Sequence, residues 1–142
     1  MKKLTATLSL LIVSMTGFVF AQNITAPKDS IESYLCKTWE SDYALLGEMK
    51  IGQTSKSSEI DYLFNKDKSF VCSDSKGALI KKGTWSYDPK KKIINLIYEK
   101  APGDDSIVSL SGTELMILVN TKDATPDDPM EMKLVFKVKV SK

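Results

Sequence analysis

From residue 130 to residue 140 apolar side chains fall on every second position: Met130, Met132, Leu134, Phe136, Val138 and Val140. Glu131, Lys133, Lys137 and Lys139 stand between them, with Val135 the one intruder. A strand turns successive side chains to opposite sides, so this segment demands a sheet with one buried and one wet face. The same period recurs upstream. Ile60, Tyr62 and Phe64 alternate with Asp61 and Leu63, and Phe70 and Cys72 flank Val71 before Asp74-Ser75-Lys76-Gly77 turns the chain. Residues 78–87 form the next strand, ended by Asp88-Pro89 because proline has no N–H for a central ladder. Residues 92–98 follow as a run of β-branched and aromatic side chains, and residues 107–110 and 115–119 flank the tight-turn signal Ser111-Gly112. Those two strands are apolar on both faces, which leaves their register open. Residues 39–51 are the least patterned and read as one long first strand bent past Gly47.

No segment after residue 21 shows sustained helical periodicity, and Ser30 caps only a short turn through Ile31, Glu32, Ser33 and Tyr34. Eight strands on short connections leave no room for the helical crossover that a parallel pair requires. The expected fold is therefore all-β, an eight-stranded antiparallel up-and-down β-barrel with a short N-terminal helical turn. An open two-sheet sandwich is the alternative. In a meander the connections alternate between ends, which gathers residues 53–56, 74–77, 99–105 and 121–129 at one end and residues 65–67, 88–91 and 111–112 at the other. The end with the longer loops is the expected mouth. Glu99, Asp104, Asp105, Asp123, Asp127 and Asp128 fall there and read as solvated loop acids, without the spacing of a metal site.

Residues 1–21 read as an export signal: Lys2 and Lys3, an apolar run from Leu8 to Phe20, then a small residue at the cleavage point, Ala21. Ser9, Ser14, Thr16 and Gly17 break the run, whereas a membrane helix needs about 20 apolar residues. The expectation is an exported chain, periplasmic or secreted, with no membrane insertion after cleavage, a flexible leader at residues 22–29 and one domain at residues 30–142. Cleavage would leave 18 lysines against 18 acids. A neutral chain makes no electrostatic case for nucleic acid.

The chain has no histidine and no arginine. Histidine triads, histidine metal sites and bidentate guanidinium grips are excluded. Ser73-Asp74-Ser75-Lys76 has the serine-x-x-lysine spacing of serine acyl-enzymes, but it falls on a strand end and turn rather than at a helix start, and reads as a surface turn. No catalytic residue, metal or cofactor is assigned, and no enzymatic function is expected. Cys36 and Cys72 are an even pair in a chain bound for an oxidising compartment, which favours a disulfide. They lie on strands that are not neighbours, whereas bridged Cα atoms lie within about 7 Å. Their pairing stays open.

Four segments in order, Leu35-Cys36-Lys37-Thr38-Trp39, Phe64-Asn65-Lys66-Asp67-Lys68-Ser69-Phe70, Lys82-Gly83-Thr84-Trp85 and Leu110-Ser111-Gly112-Thr113-Glu114-Leu115, give the chain its family likeness. It resembles the bacterial lipocalin-like domain proteins, small exported members of the wider lipocalin group, over most of residues 34–140. The resemblance implies an eight-stranded barrel whose lumen holds a small apolar ligand. Where the family has a first-strand glycine this chain has Lys37, where it has a turn glycine this chain has Lys68, and the arginine that often covers the tryptophan has no counterpart. Lys137 or Lys139 would cover Trp39 in its place. Trp39, Tyr62, Phe64, Phe70, Trp85, Tyr87 and Phe136 share inward parity and are the candidate lumen lining; as plain core they would fill it instead. The expected function is non-catalytic binding of a small apolar or amphipathic ligand in the barrel, by a monomer. The alternative is a filled barrel that docks or inhibits an envelope protein partner.

Overall fold

The computed structural model of the chain describes residues 23–52, 59–100, 103–120 and 131–141. The expected export signal, Asp123, Asp127, Asp128, Met130 and residues 53–58, 101–102 and 121–130 lie outside the described residues. A 3-10 turn (Lys28–Ser30) leads into helix α1 (Ile31–Leu35). Nine strands follow: β1 (Thr38–Leu46), β2 (Met49–Ile51), β3 (Ile60–Phe64), β4 (Ser69–Asp74), β5 (Leu79–Asp88), β6 (Ile93–Tyr98), β7 (Asp104–Leu110), β8 (Glu114–Val119) and β9 (Met132–Val138). From β3 to β9 each strand pairs antiparallel with the next, and β1 pairs with both β3 and β9. The β1–β9 ladder, from Trp39↔Val138 to Leu46↔Met132, closes the sheet into an eight-stranded barrel. That closure decides against the open sandwich.

The ninth strand corrects the reading of residues 39–51 as one bent strand. Gly47 takes a φ of 60°, a left-handed conformation that costs glycine little, and Leu46 pairs with Met49 across the turn. The chain doubles back there, so β2 covers the upper half of β1 while β3 pairs only with its lower half. The last strand stops at Val138, and Val140 is 80% exposed rather than on the buried face.

The connections sort to two ends as the meander requires. The lower end holds α1 and the turns after β3, β5 and β7; the upper end holds those after β4, β6 and β8. Ile31 and Leu35 of α1 are buried in the same cluster as Trp39, Trp85, Leu110 and Leu115 and plug the lower end. Ile24 joins them, buried, with its N–H donating to the Lys92 carbonyl at 2.9 Å. The segment read as a flexible leader is therefore pinned at Ile24, because one apolar side chain fills a gap in the plug; a single residue leaves no periodic signal. Gly83 of β5 is required by packing: a Cβ there would stand 1.9 Å from the Ile97 carbonyl oxygen of β6.

A second apolar cluster lies outside the barrel. Val108, Met116 and Val135 are buried together with partly buried Tyr43, Leu45, Ile93 and Leu118. They alternate along their strands with the core residues Ile107, Ile117 and Phe136, which places them on the outer face. This is why β7 and β8 read as apolar on both faces, and why Val135 interrupts the wet face of β9.

Candidate functional site

Six of the seven candidate lumen residues, Trp39, Tyr62, Phe64, Phe70, Trp85 and Phe136, are buried in the one inner core. Tyr62 is the hub: its ring centroid lies 5.7 Å from Phe64, 5.9 Å from Phe70 and 5.3 Å, edge-on, from Phe136. Rings at these separations occupy the interior with one another. The two indole N–H groups are satisfied by backbone, Trp39 donating to the Leu35 carbonyl at 2.9 Å and Trp85 to the Asn65 carbonyl at 3.0 Å. Tyr87 is only partly buried and lines, with Ile31, Trp85 and Lys68, a groove of about 550 Å³ beside the lower plug.

At the upper end the apolar packing gives way to a polar network built by β3, β5, β6 and β7. The Tyr62 and Tyr98 hydroxyls lie 3.2 Å apart, and Tyr98 donates to Asp105 Oδ2 at 2.5 Å. The other carboxylate oxygen accepts from the Asn120 backbone N–H at 3.1 Å. Lys81 Nζ donates to the Tyr98 hydroxyl at 3.1 Å, sits 3.8 Å from Asp105 Oδ2, and stands 4.1 Å over the Tyr98 ring. Burial raises the Tyr62 phenol far above the usual tyrosine range, and burial together with the bond to Asp105 does the same for Tyr98. Both therefore act as neutral donors and acceptors. Cys72 faces the same space across from Tyr62; burial pushes its thiol up, and the Lys81 ammonium partly offsets this.

Asp105 corrects an expectation. It is no solvated loop acid, because β7 begins at Asp104 and carries Asp105 inward, 7% exposed, in register with Leu96. Lys81, Tyr98 and Asp105 were absent from the sequence-derived lining. Parity was the available signal: Lys81 shares the inward face with Gly83 and Trp85, Tyr98 with Ile94 and Leu96, and Asp105 with Ile107. Charge masked it, since a lone Lys or Asp at a strand end is ordinarily solvated. A depression of about 270 Å³ opens over this network, lined by Leu79, Ile80, Lys81, Lys82, Tyr98, Glu99 and Lys100.

Other assignments shift with the fold. The cation over Trp39 is Lys37, at 5.5 Å from the ring, and Lys37 also donates to the Gly112 carbonyl. Lys137 instead pairs with Glu40 and Asp42, and Lys139 with Asp61. Lys68, at the position of the family's turn glycine, keeps the glycine conformation with a φ of 72°. Its ammonium sits 4.0 Å over Trp85 and 2.6 Å from Glu32, whose carboxyl it holds below the usual range. Cys36, beside α1, and Cys72, on β4, are separate thiols here. The Ser73 to Lys76 segment is shaped by Asp74, whose Oδ1 accepts the Lys76 and Ala78 backbone N–H groups. No helix among the described residues is long and apolar enough to cross a membrane.

A family described as Lipocalin-like domain (DUF4923) matches residues 47–124. Among solved structures, a DUF4847 family protein from Bacteroides vulgatus is similar at 14% identity, over 79% of this chain and 99% of that one, with a TM-score of 0.41. No curated protein matches.

Proposed function

The chain belongs to the Lipocalin-like domain (DUF4923) family, and on that premise we propose that it is an exported, non-catalytic protein that binds a small amphipathic ligand at the upper end of its barrel. One observation carries the reading. In an otherwise apolar interior, a buried carboxylate and two phenols lead to an ammonium that still reaches solvent: the Lys81 side chain is 33% exposed. Buried polar groups of this kind are costly unless satisfied, and at a barrel mouth they supply orientation beside apolar contact. Below Tyr62 the rings pack on one another, so the ligand belongs above them rather than deep in the lumen.

That same packing favours a second reading, a filled barrel that contacts an envelope protein, for which Leu79, Ile80 and Ile97 offer exposed apolar surface. Native mass spectrometry of the mature protein, gently purified from an exporting host, separates the two. A retained small mass is expected; a bare monomer overturns the ligand reading in favour of the filled barrel. Repeating the spectrum with reductant decides the Cys36 and Cys72 pairing by a gain of about two daltons if the bond exists.

A further inference from the structure

We infer that the depression over β5 and β6 is a subsite for the anionic head of a small aliphatic amphiphile, with Lys81 as its anchor and Leu79 and Ile80 as the first contacts of its tail. The inference rests on the reading that the upper end of the barrel binds a ligand. It follows from counting donors and acceptors.

Asp105 is buried and does not line the depression; one of its oxygens accepts from Asn120 and the other from Tyr98, both on the inner side. Tyr98 is saturated as well. Its single proton goes to Asp105, and its oxygen takes Lys81 Nζ and faces the Tyr62 hydroxyl, which has Tyr98 as its partner. An ammonium carries three donors, and Lys81 gives one of them to Tyr98; its Asp105 neighbour, at 3.8 Å, lies beyond hydrogen-bond reach. Two members of the network line the depression, Tyr98 and Lys81; Tyr98 has its proton and oxygen engaged, so the capacity that the network turns toward the depression is the donor capacity of Lys81.

The surroundings select the same ligand. Lys81, Lys82 and Lys100 line the depression against one acid, Glu99, which Lys82 already pairs at 3.2 Å. A cationic head would meet this excess, whereas a carboxylate, sulfonate or phosphate would be drawn in. Leu79 and Ile80 are 60% and 52% exposed beside the lysines, bare aliphatic surface that a tail would cover. A volume of about 270 Å³ holds a head and a short chain rather than a long lipid.

The test is an NMR titration of the mature protein with three probes of one chain length, octanoate, octanol and octyltrimethylammonium. Octanoate should shift the Leu79 to Lys82 and Tyr98 amides saturably and bind at least tenfold more tightly than the other two. Lys81→Met should remove that tenfold preference and leave octanol binding unchanged. Asp105→Asn, which keeps the shape and frees the ammonium, should tighten octanoate severalfold, a gain that a purely structural Lys81 would not produce. Equal binding of octanoate and octanol, or no response to Lys81→Met and Asp105→Asn, overturns the anionic subsite while the ligand reading stands. Shifts confined to other parts of the barrel do the same, and binding only to anionic vesicles replaces the free amphiphile with a membrane surface. Binding of none of the probes overturns both the subsite and the ligand reading.

Discussion

The two ends of the barrel solve the same problem, closing a tube of strands, with opposite chemistry. At the lower end Ile24, Ile31 and Leu35 drop onto Trp39 and Trp85, and both indole N–H groups are satisfied by main-chain carbonyls. At the upper end Tyr62, Tyr98, Lys81 and Asp105 are satisfied by one another and by a single backbone N–H. The lower plug is thus stabilised by area removed from water, and the upper network by pairing. The first should resist change in pH and salt; the second should be sensitive to both.

Substitutions should separate the two. Trp39→Ala removes the centre of the lower plug and is expected to cost about 3–5 kcal/mol, measured by urea unfolding. Asp105→Ala at the upper end leaves Tyr98 and the Asn120 N–H without their acceptor and Lys81 without its counter-charge, and should cost about 2–3 kcal/mol, less than a fully buried pair because Lys81 reaches solvent. Equal costs under high salt and low salt for Trp39→Ala, against a salt-dependent cost for Asp105→Ala, would sharpen the contrast; identical salt behaviour would break it.

Alkali should act most strongly on the upper end. The phenols of Tyr62 and Tyr98 are raised in the folded state, so their contribution is whole below the unfolded tyrosine value of about 10. Above it the unfolded chain releases protons that the folded one keeps, and stability falls as pH rises, by up to about 1.4 kcal/mol per pH unit for one fully protected phenol. Urea midpoints between pH 9 and 11.5 should fall more steeply for the parent than for Tyr62→Phe; parallel slopes would place the sensitivity elsewhere.

The smallest effect concerns the lower turn. Lys68 holds a left-handed φ of 72°, so Lys68→Gly should be more stable than Lys68→Ala by about 1 kcal/mol, both having lost the contacts to Trp85 and Glu32. A smaller gap in paired denaturation curves would mean that the turn relaxes.

Much of the barrel was legible because period and punctuation agree. β3, β4 and β9 lie where alternation placed them, β5 and β6 where turn signals and a β-branched and aromatic run did, and Asp88-Pro89 and Ser111-Gly112 stand at strand ends. Where the period failed, the chain had two reasons to be apolar at once: Val108, Met116 and Val135 build an outer cluster that alternation cannot distinguish from core. The first strand failed for another reason. Gly47 marks a bend in any reading, and only the competition between β2 and β3 for one edge of β1 converts that bend into a reversal. The aromatic members of the interior were visible by parity. Lys81 and Asp105 share that parity and were passed over because their charges are ordinarily solvated; pairing across β5 and β7 removes that objection, and pairing is a property of the closed sheet.

By itself the sequence determined an antiparallel meander, which side of most strands faces inward, the sorting of turns to two ends, and the exclusion of histidine and arginine chemistry. These rest on interactions between near neighbours along the chain, where a period of two and a glycine or proline carry the information. Only the tertiary structure decided that Ile24 belongs to the core, that Lys37 rather than a lysine of β9 reaches Trp39, and that Asp105 lies buried beside Lys81. Each of those depends on residues far apart in sequence meeting in a closed barrel, and the free energy of burying a charge is set by the partner it meets there.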